Sequence, residues 1–218
     1  FFKQKTAYEI TTRLVGSEVY VMLKDLVLKN RSYRRFYQDK KLSVETLTEL
    51  IDCARVTPST VNSQALKFKP VADDKTNAQV FECLNWAGLL KDWPGPEEGE
   101  RPSGYIVVLC DLALGRNKYY DEGIAAQTIM LAAVEQGLGG CILGSINKEK
   151  LASYLGIDTE KYSIDLVLAL GTPKEEVRLT EVGADGSTAY YRDANGIHYV
   201  PKRSLCLLYT SDAADDLI

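Results

Sequence analysis

EGIAAQTIMLAAVEQGLGGCILGS, residues 122–145, begins as one kind of secondary structure and ends as another. From Glu122 to Gln136 apolar side chains point in nearly every helical direction, with Ile124, Ala125, Ile129, Met130, Leu131, Ala133 and Val134 all taking part. A helix without a polar face is packed on several sides, so this one is predicted to be central. Gly137 tolerates the left-handed conformation that ends a helix. GGCILG then reads as a buried strand. The glycines do not make a dinucleotide fingerprint, because G-x-G-x-x-G would need glycine where Ile142 stands and would open a helix, whereas these close one. The stretch is a helix-to-strand turn inside a core that mixes α and β.

The flanking sequence repeats that alternation. SVETLTELIDCARV (43–56) sets Leu47, Leu50, Ile51 and Ala54 on one helical face, with Ser43 placed to cap it. Thr57-Pro58 stops the helix, since a residue before proline resists the helical region. LKFKPVAD (66–73) alternates as a strand, NAQVFECL (77–84) returns to helix, and YIVVLCDL (105–112) is a buried strand rich in β-branched residues. KEKLASYLG (148–156) and IDLVLALG (164–171) add a short helix and a strand. TAYYRDANGIHYV (188–200) reads as a hairpin turning at Asn195-Gly196. Long helices alternating with short buried strands predict one compact α+β domain.

Composition narrows the chemistry. The chain has 218 residues, 45% hydrophobic and 26% charged, with a formal net charge of -4. That acidity argues against a general nucleic-acid binder, which needs a net basic face. No apolar run approaches the roughly 18 residues of a membrane span. A single histidine, His198, removes most zinc and triad chemistries, and its place on the hairpin predicts a half-exposed strand residue. Cys53, Cys83, Cys110 and Cys141 each sit among apolar neighbours without CxxC spacing, which predicts buried thiols in a reducing cytoplasm. FFKQKTAYEI at the start and CLLYTSDAADDLI at the end resemble translated sequencing-adaptor read-through from metagenomic assembly. Residues 1–21 and 206–218 are therefore expected to be non-native, with the real domain at 22–205.

Three polar clusters could carry chemistry. NRSYRRF (30–36) crowds Arg31, Arg34 and Arg35 around Ser32; TPSTVNSQ (57–64) gathers Pro58, Ser59, Asn62 and Gln64; PKRSL (201–205) puts Lys202 and Arg203 beside a serine. Taken singly, each reads equally as surface polarity or turn punctuation. Together they offer cations from both ends of the domain and hydroxyl or amide groups from its middle, which suits a phosphorylated ligand with a polar tail.

The order R-S-x-R-x-F, P-S-x-x-N-S-Q, a helix ending in GLGGCILGS, and a terminal PKRS resembles the FMN-dependent nitroreductase family over essentially all of 22–205. The resemblance implies an α+β sandwich with a mixed central sheet flanked by helices, in an intertwined homodimer with flavin sites at the subunit interface. It implies that Arg31 and Ser32 hold the FMN phosphate and ribityl chain, with Lys202 and Arg203 also on the phosphate. Arg34 would stand near the pyrimidine edge of the flavin, where negative charge collects on reduction. Ser59, Asn62 and Gln64 would meet the ring and ribityl chain, and Leu143, Gly144 and Ser145 would lie beside the ring. No catalytic triad is needed. NADH or NADPH would reduce the flavin by hydride transfer, leave, and be followed by a nitroaromatic, quinone or related small acceptor in a ping-pong scheme.

Departures from the family pattern are Asn30, where many members have a second basic residue, and Ala65-Leu66, where they have Pro and Trp. Trp86 and Trp93 fit either the mouth of such a site or the core. The competing reading within the fold is a non-catalytic flavin binder for storage or sensing. A reading from another class is a nucleic-acid or phosphoprotein module using the Arg31–Arg35 patch; near-neutral charge over 22–205 and few stacking aromatics weigh against it.

Overall fold

The computed structural model describes residues 23–115 and 119–208. The segment 1–21 lies outside the described residues, as does 206–218 except for the 3-10 turn Leu205–Leu208. In chain order the helices are α1 (Leu23–Lys29), α2 (Val44–Arg55), α3 (Asp74–Phe81), α4 (Tyr119–Glu135) and α5 (Lys148–Leu155). The strands are β1 (Leu66–Val71), β2 (Gly104–Asp111), β3 (Gly139–Leu143), β4 (Tyr162–Gly171), β5 (Val177–Glu181), β6 (Tyr191–Arg192) and β7 (His198–Lys202).

β2 explains the architecture. Residues 104–110 are all buried, because successive side chains enter two different cores. Tyr105, Val107 and Leu109 pack with α3 and α5, whereas Ile106 and Val108 pack with α2 and α4. β4 divides in the same way, Val167 and Ala169 to one side and Leu168 and Leu170 to the other. The result is a helix–sheet–helix sandwich. Each fully buried Leu, Ile or Val side chain contributes about 1.5–3 kcal/mol by leaving water.

Local signals set the element ends. Ser43 caps α2 by accepting from the Thr46 amide at 3.1 Å, and Asp73 and Asn147 do the same for α3 and α5. Gly137, at φ 74°, follows α4 in the left-handed region. The β6–β7 hairpin turns through Gly196 at φ 79°, with Asp193 Oδ1 accepting from the amides of Asn195 and Ile197.

Three expectations change in detail. The main sheet runs β1-β2-β4-β3 and its four strands pair antiparallel throughout. Parallel character enters through a bridge between Ser32 and Gly140 at its edge, and through β5 against β7 in a second sheet ordered β5-β7-β6. His198 is 1% exposed, not half-exposed, because its face of β7 is covered by Arg34 and Tyr190. Cys53 is exposed, since it falls off the Leu47-Leu50-Ala54 stripe of α2, whereas Cys83, Cys110 and Cys141 are buried. Among the described residues no helix is long and apolar enough to cross a membrane.

Candidate functional site

The segment Asn30–Phe36 lies along the free edge of β3. Its course depends on two glycines. The Tyr33 amide donates to the Gly140 carbonyl at 2.9 Å. A Cβ on Gly139 would meet the Tyr33 ring at 2.6 Å, and one on Gly140 would strike the Ala169 carbonyl. GLGG is therefore a docking edge as well as a turn. Phe36, fully buried, pins the far end of the segment.

Pinned in this way, the segment turns Arg31, Ser32 and Arg34 into a hollow of about 310 Å³, which β7 joins with His198, Val200 and Lys202. Gln127 and Met130 of α4 close another side. Arg31 Nη2 donates to the Val27 carbonyl at 2.7 Å, at the C-terminal end of α1, where a cation is favoured. Burial pulls the Arg31 guanidinium below its usual range, and Tyr33 opposes the shift. Arg34 is buried; Nη1 donates to the Ser32 carbonyl at 3.2 Å and lies 3.4 Å from His198 Nε2. Its guanidinium sits 5.0 Å from the centre of the Tyr190 ring, and its backbone amide donates to Glu175. The Nε atoms of Arg31 and Arg34 are buried without partners. Two unanswered guanidinium N–H groups at one hollow fit an anionic ligand such as a phosphate.

Arg35 leaves the cluster. It pairs with Glu100, which also binds Lys174 at 2.9 Å. The Arg35 hydrogen bond, outweighing burial, holds the Glu100 carboxyl at about 2.

The TPSTVNSQ loop lies elsewhere in the chain. Ser59 and Gln64 line a second hollow, about 400 Å³, between α2, β1 and the first turn of α4. Ser59 Oγ accepts from the Gln64 amide at 3.2 Å, and Gln64 Nε2 donates to Asn62 Oδ1 at 3.4 Å. Val61, Asn62 and Gln64 have φ of 48°, 53° and 49°. For a β-branched residue such as Val61 that conformation is an outlier, with strain of about 1–3 kcal/mol. Asp121 holds the loop in place, with Oδ1 accepting from both the amide and the hydroxyl of Thr60 at 2.8 Å.

The sequence profile of the nitroreductase family matches residues 27–100 and 114–172. The chain belongs to the nitroreductase family. An Archaeoglobus fulgidus protein named as an NADH dehydrogenase/NAD(P)H nitroreductase is 29% identical over 150 residues, 65% of this chain and 80% of that one. The 5,6-dimethylbenzimidazole synthase of Rhodospirillum rubrum is 25% identical over 177 residues, 70% of this chain and 82% of that one. A Desulfovibrio desulfuricans nitroreductase solved with FMN superposes with a TM-score of 0.63 at 22% identity, covering 86% of this chain and 95% of that one.

In this nitroreductase-family chain, four of the residues singled out by sequence come together: Arg31, Ser32, Arg34 and Lys202. Arg203 is exposed and does not line the hollow. Ser59 and Gln64 line the second hollow, with Asn62 beside them. Leu143 is buried in the core shared with α3 and α5, while Gly144 and Ser145 are exposed, the latter accepting from Asn85 Nδ2 at 3.2 Å. Neither Trp86 nor Trp93 lines either hollow. Trp86 is core, and Trp93 is half-buried beneath Arg192 at 4.6 Å. Sequence reasoning missed His198, Tyr190 and Glu175. For His198 a signal existed: with Lys202 chosen, the strand period of two places Val200 and His198 on the same face.

Proposed function

We propose that this nitroreductase-family chain is an FMN-dependent NAD(P)H oxidoreductase that reduces nitroaromatic, quinone or related small acceptors by ping-pong hydride transfer. The observation that carries the reading is the hollow in which Arg31, Ser32, Arg34 and Lys202 meet with two guanidinium Nε–H groups unpartnered. The names of the relatives support it, one being an NAD(P)H nitroreductase and one solved with FMN. Arg31, Ser32 and Lys202 would hold the phosphate, with Arg203 adjoining from the end of β7. Arg34 would place a fixed positive charge where the ligand gains negative charge, its guanidinium kept rigid by Ser32, His198 and Tyr190. Bound FMN would supply two-electron exchange, first with the nicotinamide and then with the acceptor.

The remaining assigned residues, Ser59, Asn62, Gln64, Leu143, Gly144 and Ser145, would belong to the same site through a homodimer. An apolar stripe on α4 supports a second copy. Ile124 is 40% exposed, and Leu131 and Val134 on the same face are half-buried, so the helix expected to be packed all round is covered on one side by its own chain. A cytoplasmic location remains part of this reading.

The visible spectrum of the purified protein tests it. Flavin absorption bleached by anaerobic NADPH is the expected result. A colourless protein overturns the assignment, and a yellow one that NADPH leaves unchanged favours a non-catalytic flavin binder.

A further inference from the structure

The hollow that gathers Arg31, Arg34 and Lys202 also holds the only histidine of the chain. The His198 ring is 1% exposed and packs 5.2 Å from the Tyr190 ring. Its Nε2 lies 3.4 Å from Arg34 Nη1. A guanidinium has donors only, so Nε2 is the acceptor and the proton of the neutral ring sits on Nδ1. Nδ1 is buried and has no partner. A neutral imidazole held against a guanidinium, in a hollow lined by Arg31 and Lys202, sits in a positive field that a bound phosphate-sized anion would offset.

We propose that His198 couples the binding of an anion in this hollow to the uptake of one proton. The charges that face the ring all oppose its protonation until an anion arrives. Arg34 faces it from the Asn30–Phe36 segment and Arg192 from β6, while Arg31 and Lys202 line the same hollow. Glu175 is already engaged, accepting from the Arg34 amide and from Arg192 Nη2 at 3.0 Å. α4 presents Gln127 and Met130, which carry no charge. Burial first, then Arg34 and Arg192, hold the imidazole at about 4. It is therefore neutral at pH 7.

A dianion beside Arg31 and Lys202 offsets that positive field and favours the imidazolium; the added proton sits on Nε2, so the contact between Nε2 and Arg34 Nη1 opens as it is taken up. The sign follows from linkage. The ring's pKa is higher in the complex than in the ligand-free protein, so the complex carries the extra proton. Anion affinity then rises as pH falls from the complex's pKa towards about 4, by up to about tenfold per pH unit, and levels off below that. The inference rests on the hollow being an anion cradle, as the proposed function requires, but not on the anion being a flavin.

A single histidine makes the test direct. NMR of the full chain labelled at histidine gives one ring signal, titrated without added anion, with saturating sulfate, and with FMN. The expected result is an apparent pKa near 4 without anion and at least one unit higher with either ligand. Sulfate stays dianionic across the range, whereas a phosphate monoester takes up a proton near about pH 6; sulfate therefore isolates the histidine. In His198→Gln the rise of sulfate affinity with falling pH should vanish. An unchanged ring pKa in both complexes, or a ring that already titrates near 6.5 without anion, overturns the proposal on the unaltered protein, whether or not the variant folds. If FMN binds and the ring does not respond, the coupling fails while the flavin reading stands. If only sulfate binds and the ring responds, the coupling stands and the flavin reading fails.

Discussion

Arg31, Arg34 and Arg35 are near neighbours in sequence, and the fold gives them three different surroundings. Arg31 is partly desolvated at the end of α1, Arg34 is buried against Tyr190 and His198, and Arg35 is tied to Glu100. Sequence could show that guanidiniums cluster there but not how they divide, because Arg34 and Arg35 are drawn apart by partners 164 and 65 positions away. Under the proposed function, Arg31→Ala removes one charge-assisted contact worth about 1.5–3 kcal/mol, so the FMN dissociation constant should rise between about tenfold and a hundredfold. Fluorescence quenching of FMN on titration measures it. Arg34→Ala should keep most flavin but slow its reduction by NADPH about a hundredfold in stopped-flow absorbance, the scale of losing one preorganised electrostatic group. Reduction at the unaltered rate would remove Arg34 from that role. Glu100 gives a separate test by pH. Its carboxyl is held at about 2 by Arg35, against an ordinary value of 4.5, so its stabilisation is complete above pH 4.5 and is lost as pH falls towards 2. Glu100→Gln should therefore lower the melting temperature at pH 7, with the gap to the unaltered protein closing between pH 4.5 and 2.

At the scale of elements, periodicity and punctuation were enough for most of the chain. The stripe Leu47-Leu50-Ala54, the Ser43 cap, the apolar runs of β2 and β4 and the Gly137 stop all act within a few residues of themselves, so the sequence alone displays them. What could not be read was strand order, since β4 inserts between β2 and β3. Nor could the reason for Gly139 and Gly140, which lies in Tyr33 and Ala169 and not in the turn that Gly137 makes. Gly140 is the point where element and site meet. Gly140→Ala would drive a methyl group into the Ala169 carbonyl, a backbone atom that cannot swing aside as a side chain can. We expect a loss of about 3 kcal/mol, near the upper end for overpacking, and a fall in melting temperature of about 6–12 °C for a chain of this size. Calorimetry checks the size of the effect. Anion binding by the surviving folded fraction checks that the Ser32–Gly140 edge positions the hollow.

For the whole molecule, the informative fact is that one chain holds the two halves of the proposed site apart. Arg31, Ser32, Arg34 and Lys202 line one hollow; Ser59 and Gln64 line another. α4 borders both, with Gln127 and Met130 at the first and Asp121 and Ala125 at the second, and it carries the partly open Ile124-Leu131-Val134 stripe. Sequence order listed both clusters as if they belonged to one pocket, because linear spacing does not distinguish a contact within a chain from one across a two-fold axis. If two copies pack on α4 so that each loop completes the other's cradle, the halves are contributed in trans, and defects in different halves should complement. Arg31→Ala and Gln64→Ala, each poor in flavin alone, would be mixed by co-refolding. Random pairing yields about half heterodimers, and one of the two sites in each heterodimer combines an intact cradle with an intact loop, so about a quarter of all sites should recover unaltered affinity. FMN titration would show them as a distinct tight class. If both halves serve a site within one chain, mixing restores none, and the tight class does not appear at any ratio of the two proteins.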